Sequence, residues 1–157
     1  MSRIRLLVMD VDGTLTDGHI YMGPEGEVFK AFDVKDGYAI ANLLPLMQIV
    51  PVIITGRTSA IVERRAAELG IAELYQGVVN KLEKLKEIAY NYHLSEAEIA
   101  YIGDDLNDIP CIGYAGFSGC PGDAAEEVKK AVDHVCVSKA GRGAVREFIE
   151  EIIKQVE

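Results

Sequence analysis

Short apolar runs alternate with amphipathic helical patterns along almost the whole chain, and this alternation limits the possible folds more than any other feature. The runs have the length of strands and lie at 4–9, 49–55 and 98–105, with weaker candidates at 114–119 and 134–138. Strands that are apolar on both faces belong to parallel sheets whose connections are helices. The sequence therefore predicts an α/β fold, a Rossmann-like parallel sheet with helices on both faces.

One segment, 19–32, interrupts this alternation. It consists of two alternating runs around the turn sequence GPEG, which is typical of a β-hairpin. Among the predicted helices, one ends at Pro45, one follows the N-cap Ser59, and one has Asp123 as its cap. We expect residues 1–157 to form a single domain, because the chain has no linker or repeat and is short for two domains.

Charge and composition argue against several classes of partner. The chain carries 16 Lys and Arg against 25 Asp and Glu, a net charge of −9, whereas nucleic-acid binding needs a basic face. The sequence has no run of roughly 20 apolar residues that could span a bilayer, and no signal-peptide pattern. Its three cysteines form no C-x-x-C pair, so we expect reduced thiols and a cytoplasmic location.

Three dense polar clusters directly follow the three strongest strand candidates. They read DVDGTLTDG (10–18), TGR (55–57) and GDDLND (103–108). Taken alone, the first could be an Asx turn and the last a capped helix start. Ligands of parallel sheets, however, bind beyond the carboxyl ends of the strands. Three clusters at three strand ends therefore predict one shared site.

The residue types in these clusters favour phosphoryl transfer. Carboxylates on neighbouring strand ends would repel each other unless a divalent cation lay between them, and oxygen ligands suit Mg²⁺. The hydroxyl of Thr55, the N–H of Gly56 and the ammonium group of Lys81 are groups that bind phosphate. Acids, a cation and a phosphate cradle together indicate an enzyme in which one aspartate is the nucleophile.

The chain resembles the haloacid dehalogenase superfamily of phosphatases in four motifs, which occur in the same order as in that superfamily: Asp10-x-Asp12-Gly13-Thr14, Thr55-Gly56, Lys81, and Gly103-Asp104-Asp105-x-x-Asp108. The resemblance covers nearly the whole chain and includes a hairpin after the first motif. The stretches DGYAI and GRGAVREF are similar to the small capless branch that acts on phosphorylated sugar acids. Thr14 departs from that branch, in which valine is expected.

This resemblance implies the catalytic and metal-binding roles. Asp10 would be the nucleophile that forms an aspartyl-phosphate, and Asp12 would be the acid/base. Asp10, the backbone carbonyl of Asp12, and Asp104 would bind Mg²⁺. Asp105 or Asp108 would support the water molecules of the metal.

The resemblance also implies how substrate is held. Thr55 and Gly56 would bind phosphoryl oxygens, and Lys81 would neutralise charge between Asp10 and the phosphate. The candidates for binding other parts of the substrate are arginines, of which the resemblance favours the first for the substrate carboxylate: Arg57, Arg65 and Arg142. For each of them, an ordinary surface charge is the alternative interpretation.

The resemblance further implies a small-molecule substrate, 3-deoxy-D-manno-octulosonate 8-phosphate, with a nonulosonate 9-phosphate as the alternative, and a role in lipopolysaccharide biosynthesis. The spans 18–48 and 58–80 are too short to form a cap domain with its own core. We therefore expect a neighbouring copy to shield the site. Because the capless branch forms tetramers, we expect a homotetramer with sites at subunit interfaces, bordered by the hairpin 19–32.

Two other classes of function compete with a phosphatase. A phosphoacceptor signalling domain also uses acids, a threonine and a lysine around Mg²⁺, but its acidic pair ends the first strand and its phosphorylated aspartate ends the third. Here the D-x-D sequence follows the first strand. A non-catalytic binding protein would have lost the nucleophile or the lysine, whereas Asp10 and Lys81 are both present.

Overall fold

The computed structural model describes residues 3–156 and contains eight strands. In chain order they are β1 (Leu6–Met9), β2 (Tyr21–Gly23), β3 (Gly26–Phe29), β4 (Val50–Ile54), β5 (Glu73–Tyr75), β6 (Ile99–Ile102), β7 (Phe117–Cys120) and β8 (His134–Val135). Six of them form one parallel sheet in the order β5-β4-β1-β6-β7-β8. The strands β2 and β3 pair separately as an antiparallel hairpin, so both the parallel sheet and the hairpin are confirmed.

Helical segments connect the strands of the sheet. They are α1 (Val34–Tyr38), a π-helical turn (Ala39–Leu43), α2 (Leu44–Leu46), α3 (Ala60–Glu68), α4 (Lys81–Asn91), α5 (Ile109–Tyr114), α6 (Glu126–Ala131) and α7 (Ala144–Lys154), with short 3₁₀ turns at Glu96–Glu98 and Leu106–Asp108. Within residues 3–156, none of these helices has both the length and the apolar character needed to cross a membrane.

Two hydrophobic clusters cover the two faces of the sheet. Successive side chains of a strand point to opposite faces, and in β1 Leu7 and Met9 belong to one cluster while Leu6 and Val8 belong to the other. The first cluster includes residues of α3 and α7, and the second includes residues of α4 and α6. The prediction of helices on both faces is therefore confirmed.

Two local predictions are wrong. The helical segment does not end at Pro45, because Pro45 lies in the first turn of α2 after the π-helical turn, where a missing N–H costs little. Asp123 does not cap α6, which begins after Ala125. Its carboxylate instead accepts a hydrogen bond from the N–H of Ala140 at 2.9 Å, which fixes the segment before α7.

The insertions between the strands are small. Between β1 and β4 the chain forms only the hairpin and the segment α1 to α2, and between β4 and α4 it forms only α3 and β5. The described chain, residues 3–156, thus holds no cap domain, as predicted. In the hairpin, the ring of Tyr21 stacks on that of Phe29 at a centroid distance of 4.4 Å, whereas Phe32 packs against the first hydrophobic cluster.

A buried carboxylate, Asp36, joins α1 to the start of α7. The residue is 2% exposed, and its Oδ1 accepts the N–H of Arg146 at 2.9 Å. Its Oδ2 has no hydrogen-bond partner among the residues described. Burial disfavours the ionised form and raises the pKa of Asp36 to about 6.

The raised pKa of Asp36 predicts a pH-dependent effect of Asp36→Asn. The folded carboxyl resists ionisation up to about pH 6, whereas the unfolded one ionises near pH 4, so the wild type loses stability as pH rises through this window. Two pKa units correspond to about 3 kcal/mol. The amide of the variant keeps the accepting oxygen without the charge, so urea unfolding at pH 8 should show a gain on the order of 2 kcal/mol, which shrinks at pH 5.

Asp33→Asn is the matched control. Asp33 caps α1 through hydrogen bonds from the N–H groups of Lys35 and Asp36, and asparagine is an equally good N-cap. Since burial is the larger cause of the raised pKa of Asp36 and the charge of Asp33 a lesser one, this variant should give a much smaller gain at pH 8 than Asp36→Asn. An equal gain in stability for Asp36→Asn at pH 5 and pH 8 would contradict the raised pKa of Asp36.

Candidate active site

Three strand ends meet at one edge of the parallel sheet. Met9, the last residue of β1, is aligned with Ile53 in β4 and with Ile102 in β6. The polar clusters that follow these strands therefore lie side by side. The strand order also reverses at β1, since later strands add on its other side, and such a switch point is where α/β sheets bind ligands.

The carboxylates of Asp10, Asp104 and Asp108 converge at this edge. One oxygen of each lies within 4.8 Å of the others, so the cluster could hold a metal ion. Burial is the main cause that raises the pKa of Asp104 to about 8, helped by its hydrogen bond with Asp10. Burial, followed by the charge of Asp108, also raises the pKa of Asp10. Burial therefore favours the protonated form of both carboxyl groups.

Lys81 is the buried cation that balances this cluster. Its Nζ lies 3.1 Å from Asp10 Oδ1 and 2.9 Å from Asp108 Oδ1, and its side chain is 3% exposed. Burial alone would lower the pKa of Lys81, but the charges of the two aspartates outweigh that effect and raise it. Lys81 is the first residue of α4, where Asn80 is the N-cap. The packing of α4 thus places an ammonium group between two carboxylates.

Asp108 organises the loop after β6. Its Oδ1 accepts hydrogen bonds from Lys81 and from the hydroxyl of Tyr101 at 2.5 Å. Its Oδ2 accepts the N–H groups of Asp104 at 2.9 Å and Asp105 at 3.2 Å. Four donors thus occupy this carboxylate, which fits a supporting position rather than a metal ligand.

The other candidate for a supporting role, Asp105, lies at the surface. Its residue is exposed, and its carboxylate accepts the N–H of Leu106 at 2.8 Å at the start of a 3₁₀ turn. The sequence alone did not distinguish Asp105 from Asp108, and the structure places only Asp108 in the cluster.

The loop after β1 needs a glycine beside Asp104. Gly13 has a φ of +85°, and a Cβ at this position would collide with the Asp104 carboxylate. Next to it, the buried hydroxyl of Thr14 donates a hydrogen bond of 3.0 Å to Asp104 Oδ1. Thr14, the residue that departs from the capless branch, therefore holds a carboxylate of the cluster in place.

Asp12 lies apart from the three clustered carboxylates. Its Oδ1 is 2.6 Å from the Nζ of Lys30, and its Oδ2 is 3.8 Å from the Nε of Arg57. Lys30 belongs to the segment after β3, and sequence reasoning missed it. A lysine in a hairpin gives no signal of burial, because lysine side chains are usually exposed.

The predicted phosphate-binding residues follow β4 at the same edge. Thr55 is buried, and its N–H donates to the carbonyl of Tyr75 at 3.0 Å. Gly56 is exposed, and a Cβ there would meet Val78 O only at an ordinary contact distance. Both residues therefore stand beside the strand end that carries Asp10.

The three predicted arginines lie in different surroundings. Arg57 reaches Asp12 and Glu27, whereas Arg65 pairs with Glu68 at 3.3 Å and lies over the ring of Phe32. These contacts place Arg65 against its own helix and the segment before α1 rather than in the aspartate cluster.

Arg142 belongs to a loop that packs against the loop after β1. Beside it, the N–H of Gly141 donates to Thr14 O at 3.4 Å. A hydrogen bond from Tyr21 lowers the pKa of Asp17, and the positive charge of Arg142 adds to this effect. Arg142 therefore lies next to the hairpin of its own chain.

The six-stranded parallel sheet and the carboxylates that follow β1 and β6 point to a class of α/β hydrolases. The chain belongs to the haloacid dehalogenase-like hydrolase family, whose sequence pattern matches residues 48–149. Over 152 residues it is 45% identical to the 3-deoxy-D-manno-octulosonate 8-phosphate phosphatase KdsC of Escherichia coli strain K12, a match that covers 97% of this chain and 80% of that protein.

Solved structures agree with this assignment. The 3-deoxy-D-manno-octulosonate 8-phosphate phosphatase of Moraxella catarrhalis, in complex with a magnesium ion, a phosphate ion and a KDO molecule, has a TM-score of 0.92 and 42% identity, covering 96% of this chain and 86% of that chain. The cobalt-bound deoxy-D-mannose-octulosonate 8-phosphate phosphatase of Haemophilus influenzae has a TM-score of 0.92 and 36% identity, covering 97% and 88%. The predicted resemblance to the capless branch is confirmed.

The raised pKa of Asp104 predicts that Mg²⁺ binding releases a proton. Near pH 7 the carboxyl is mostly protonated in the metal-free protein, and a cation needs it ionised. Titration calorimetry in buffers of different ionisation enthalpy should show a release approaching one proton at pH 7 and close to none above pH 9. The apparent affinity should rise about tenfold per pH unit below pH 8.

Asp104→Asn is the control for this prediction. The variant should bind Mg²⁺ more weakly and release no proton on binding, because the amide does not titrate. Binding to the wild type at pH 7 without proton release would contradict the raised pKa of Asp104.

Proposed function

We propose that this chain is a Mg²⁺-dependent phosphatase that hydrolyses 3-deoxy-D-manno-octulosonate 8-phosphate through an aspartyl-phosphate on Asp10. The observation that carries the proposal is the convergence of Asp10, Asp104 and Lys81 at the end of β1. An anionic nucleophile can approach an anionic phosphate only where cations reduce the repulsion. The substrate and the metal are supported by the similarity to KdsC and by the Moraxella catarrhalis complex.

The residues at this edge fit Mg²⁺. The cluster offers carboxylate oxygens, which a hard cation prefers, and the raised pKa of Asp104 indicates that a positive charge is favoured there. The carboxylates of Asp10 and Asp104 and the backbone carbonyl of Asp12 would hold the ion. When bound, it would stabilise the negative charge on the phosphoryl group.

The chain's own side chains account for the two chemical steps. An oxygen of Asp10 forms a bond to phosphorus as the sugar alcohol leaves, and the alcohol takes a proton from the Asp12 carboxyl. The Asp12 carboxylate then takes a proton from water, which attacks phosphorus and breaks the bond to Asp10. Thr55 and Gly56 bind phosphoryl oxygens, and Lys81 neutralises charge at Asp10.

We expect Asp10→Asn to abolish turnover, because an amide is not a nucleophile for phosphorus. Asp12→Asn should bind substrate and turn over roughly 10²–10⁴-fold more slowly. Phosphate release from the sugar-acid phosphate, measured with Mg²⁺ and with excess EDTA, tests both variants. Near-wild-type kcat for Asp10→Asn, or full activity in EDTA, would refute the mechanism.

A panel of sugar-acid phosphates that includes nonulosonate 9-phosphates, compared by kcat/KM, tests the choice of substrate.

Arg57 is proposed to bind the carboxylate of the sugar acid. Its side chain is half exposed beside Asp12, which leaves the guanidinium free to turn toward a substrate. Arg57→Glu should therefore lower kcat/KM for the sugar-acid phosphate far more than for p-nitrophenyl phosphate, which has no carboxylate. Arg65→Glu is the matched comparison, since Arg65 contacts Glu68 and Phe32. Equal losses on both substrates for Arg57→Glu would remove this role.

A homotetramer with sites bordered by neighbouring hairpins is proposed to replace the cap. Support comes from the exposed apolar side chains of the hairpin, Met22, Val28 and Phe29, which are 65%, 59% and 51% exposed. Analytical ultracentrifugation should give about four chains of 17.1 kDa per particle. Met22→Lys with Val28→Lys should yield smaller particles with reduced activity. A fully active wild-type monomer would refute the shared site but not the phosphatase.

We also propose the domain organisation and the location of this protein. Residues 1–157 act as one hydrolase domain, which the single six-stranded sheet between two hydrophobic clusters supports. A cytoplasmic location is supported by the three cysteines, all of which are buried free thiols: Cys111, Cys120 and Cys136.

A further inference from the structure

The hairpin segment supplies a buried lysine to the side chain of Asp12. The Nζ of Lys30 lies 2.6 Å from Asp12 Oδ1 and 2.9 Å from Glu27 Oε2, and the Lys30 side chain is 2% exposed. Burial alone would lower the pKa of Lys30, but hydrogen bonds with the two carboxylates outweigh it and raise the pKa. The ammonium group of Lys30 is therefore held between two carboxylates.

Glu27 fixes this lysine to the body of the protein independently of Asp12. Its Oε1 accepts a hydrogen bond of 3.0 Å from the hydroxyl of Ser59, which is also the N-cap of α3. Its Oε2 lies 3.5 Å from Nη2 of Arg57. The position of Lys30 is thus set by the start of α3, and Asp12 is drawn toward it.

Asp10 and Asp12 occupy different environments although they are two residues apart. Asp10 lies in the aspartate cluster and pairs with Lys81, whereas the carboxylate of Asp12 lies outside that cluster and pairs with Lys30. A free carboxylate in the same loop as a metal ligand can enter the coordination shell of a divalent cation. An acid/base group must stay outside that shell to exchange protons with the leaving group and water.

We propose that Lys30 is a positioning residue that holds the Asp12 carboxylate out of the metal shell and available for proton transfer. This inference rests on the proposed function, and it assigns to the hairpin a role in the active site of its own chain. Lys30 acts through Asp12 and not by contact with the reacting atoms.

The first test compares two leaving groups. An alkyl phosphate needs a proton from Asp12, whereas p-nitrophenolate leaves without one. For Lys30→Met, kcat on the sugar-acid phosphate should fall roughly 10–100-fold. On p-nitrophenyl phosphate, the first turnover should stay fast and be followed by slow hydrolysis of the aspartyl-phosphate. The expected trace is a burst of about one p-nitrophenolate per chain.

Lys30→Arg should restore part of the loss, and Lys35→Met, which changes an exposed lysine nearby, should behave like the wild type.

The second test measures Mg²⁺ binding itself by titration calorimetry. Lys30→Met should bind Mg²⁺ several-fold more tightly, because the released Asp12 carboxylate can join the metal shell. In an Asp12→Asn background, Lys30→Met should leave the affinity unchanged, as required for an effect that passes through Asp12. Lys30→Gln gives the same comparison if thermal melting shows that Lys30→Met is unfolded.

Two results would overturn the proposal: equal losses on both phosphates without a burst, or a Lys30→Met effect on Mg²⁺ affinity that persists in the Asp12→Asn background. Failure of the proposed function looks different. In that case the wild type would release no phosphate from the sugar-acid phosphate, while the Mg²⁺ comparison between the single and double variants would still report on Lys30.

Discussion

The contacts of Lys81 with Asp10 and Asp108 are the interaction on which the rest of the site depends. Three carboxylates lie at one edge of the sheet, and each loses favourable hydration when it is buried. An ammonium group within 3.1 Å of two of them offsets that cost. Removal of one partner from such a buried group typically destabilises a protein by about 3–5 kcal/mol, because a charge remains uncompensated. The site is therefore also a determinant of folding.

The parallel sheet is what makes this arrangement possible. β1 lies between β4 and β6, and its apolar side chains contribute to both hydrophobic clusters. Because β1 is paired with a neighbouring strand on each side, the strand ends are held in fixed register. The polar residues that follow the strands are thus carried by paired strands, while the loop geometry, such as the positive φ of Gly13, adjusts their final positions.

The hairpin has two features that bear on the site. It carries exposed apolar side chains, and it places Lys30 against Asp12. The two lysines contact different acids. Lys81 contacts two carboxylates of the cluster, and Lys30 contacts the Asp12 carboxylate outside it. A short segment can do this because Glu27 anchors it to the start of α3.

The amino-acid sequence by itself determined the strands, most of the helices, and the acids that follow β1 and β6, because apolar periodicity and turn residues are local properties. It did not decide between Asp105 and Asp108, nor indicate that Lys30 is buried. Those outcomes depend on side chains that meet across 18 residues for Lys30 and Asp12 and across 27 for Lys81 and Asp108. Such pairs form only when packing sets the position of the hairpin and of α4, and local periodicity contains no information about that distance.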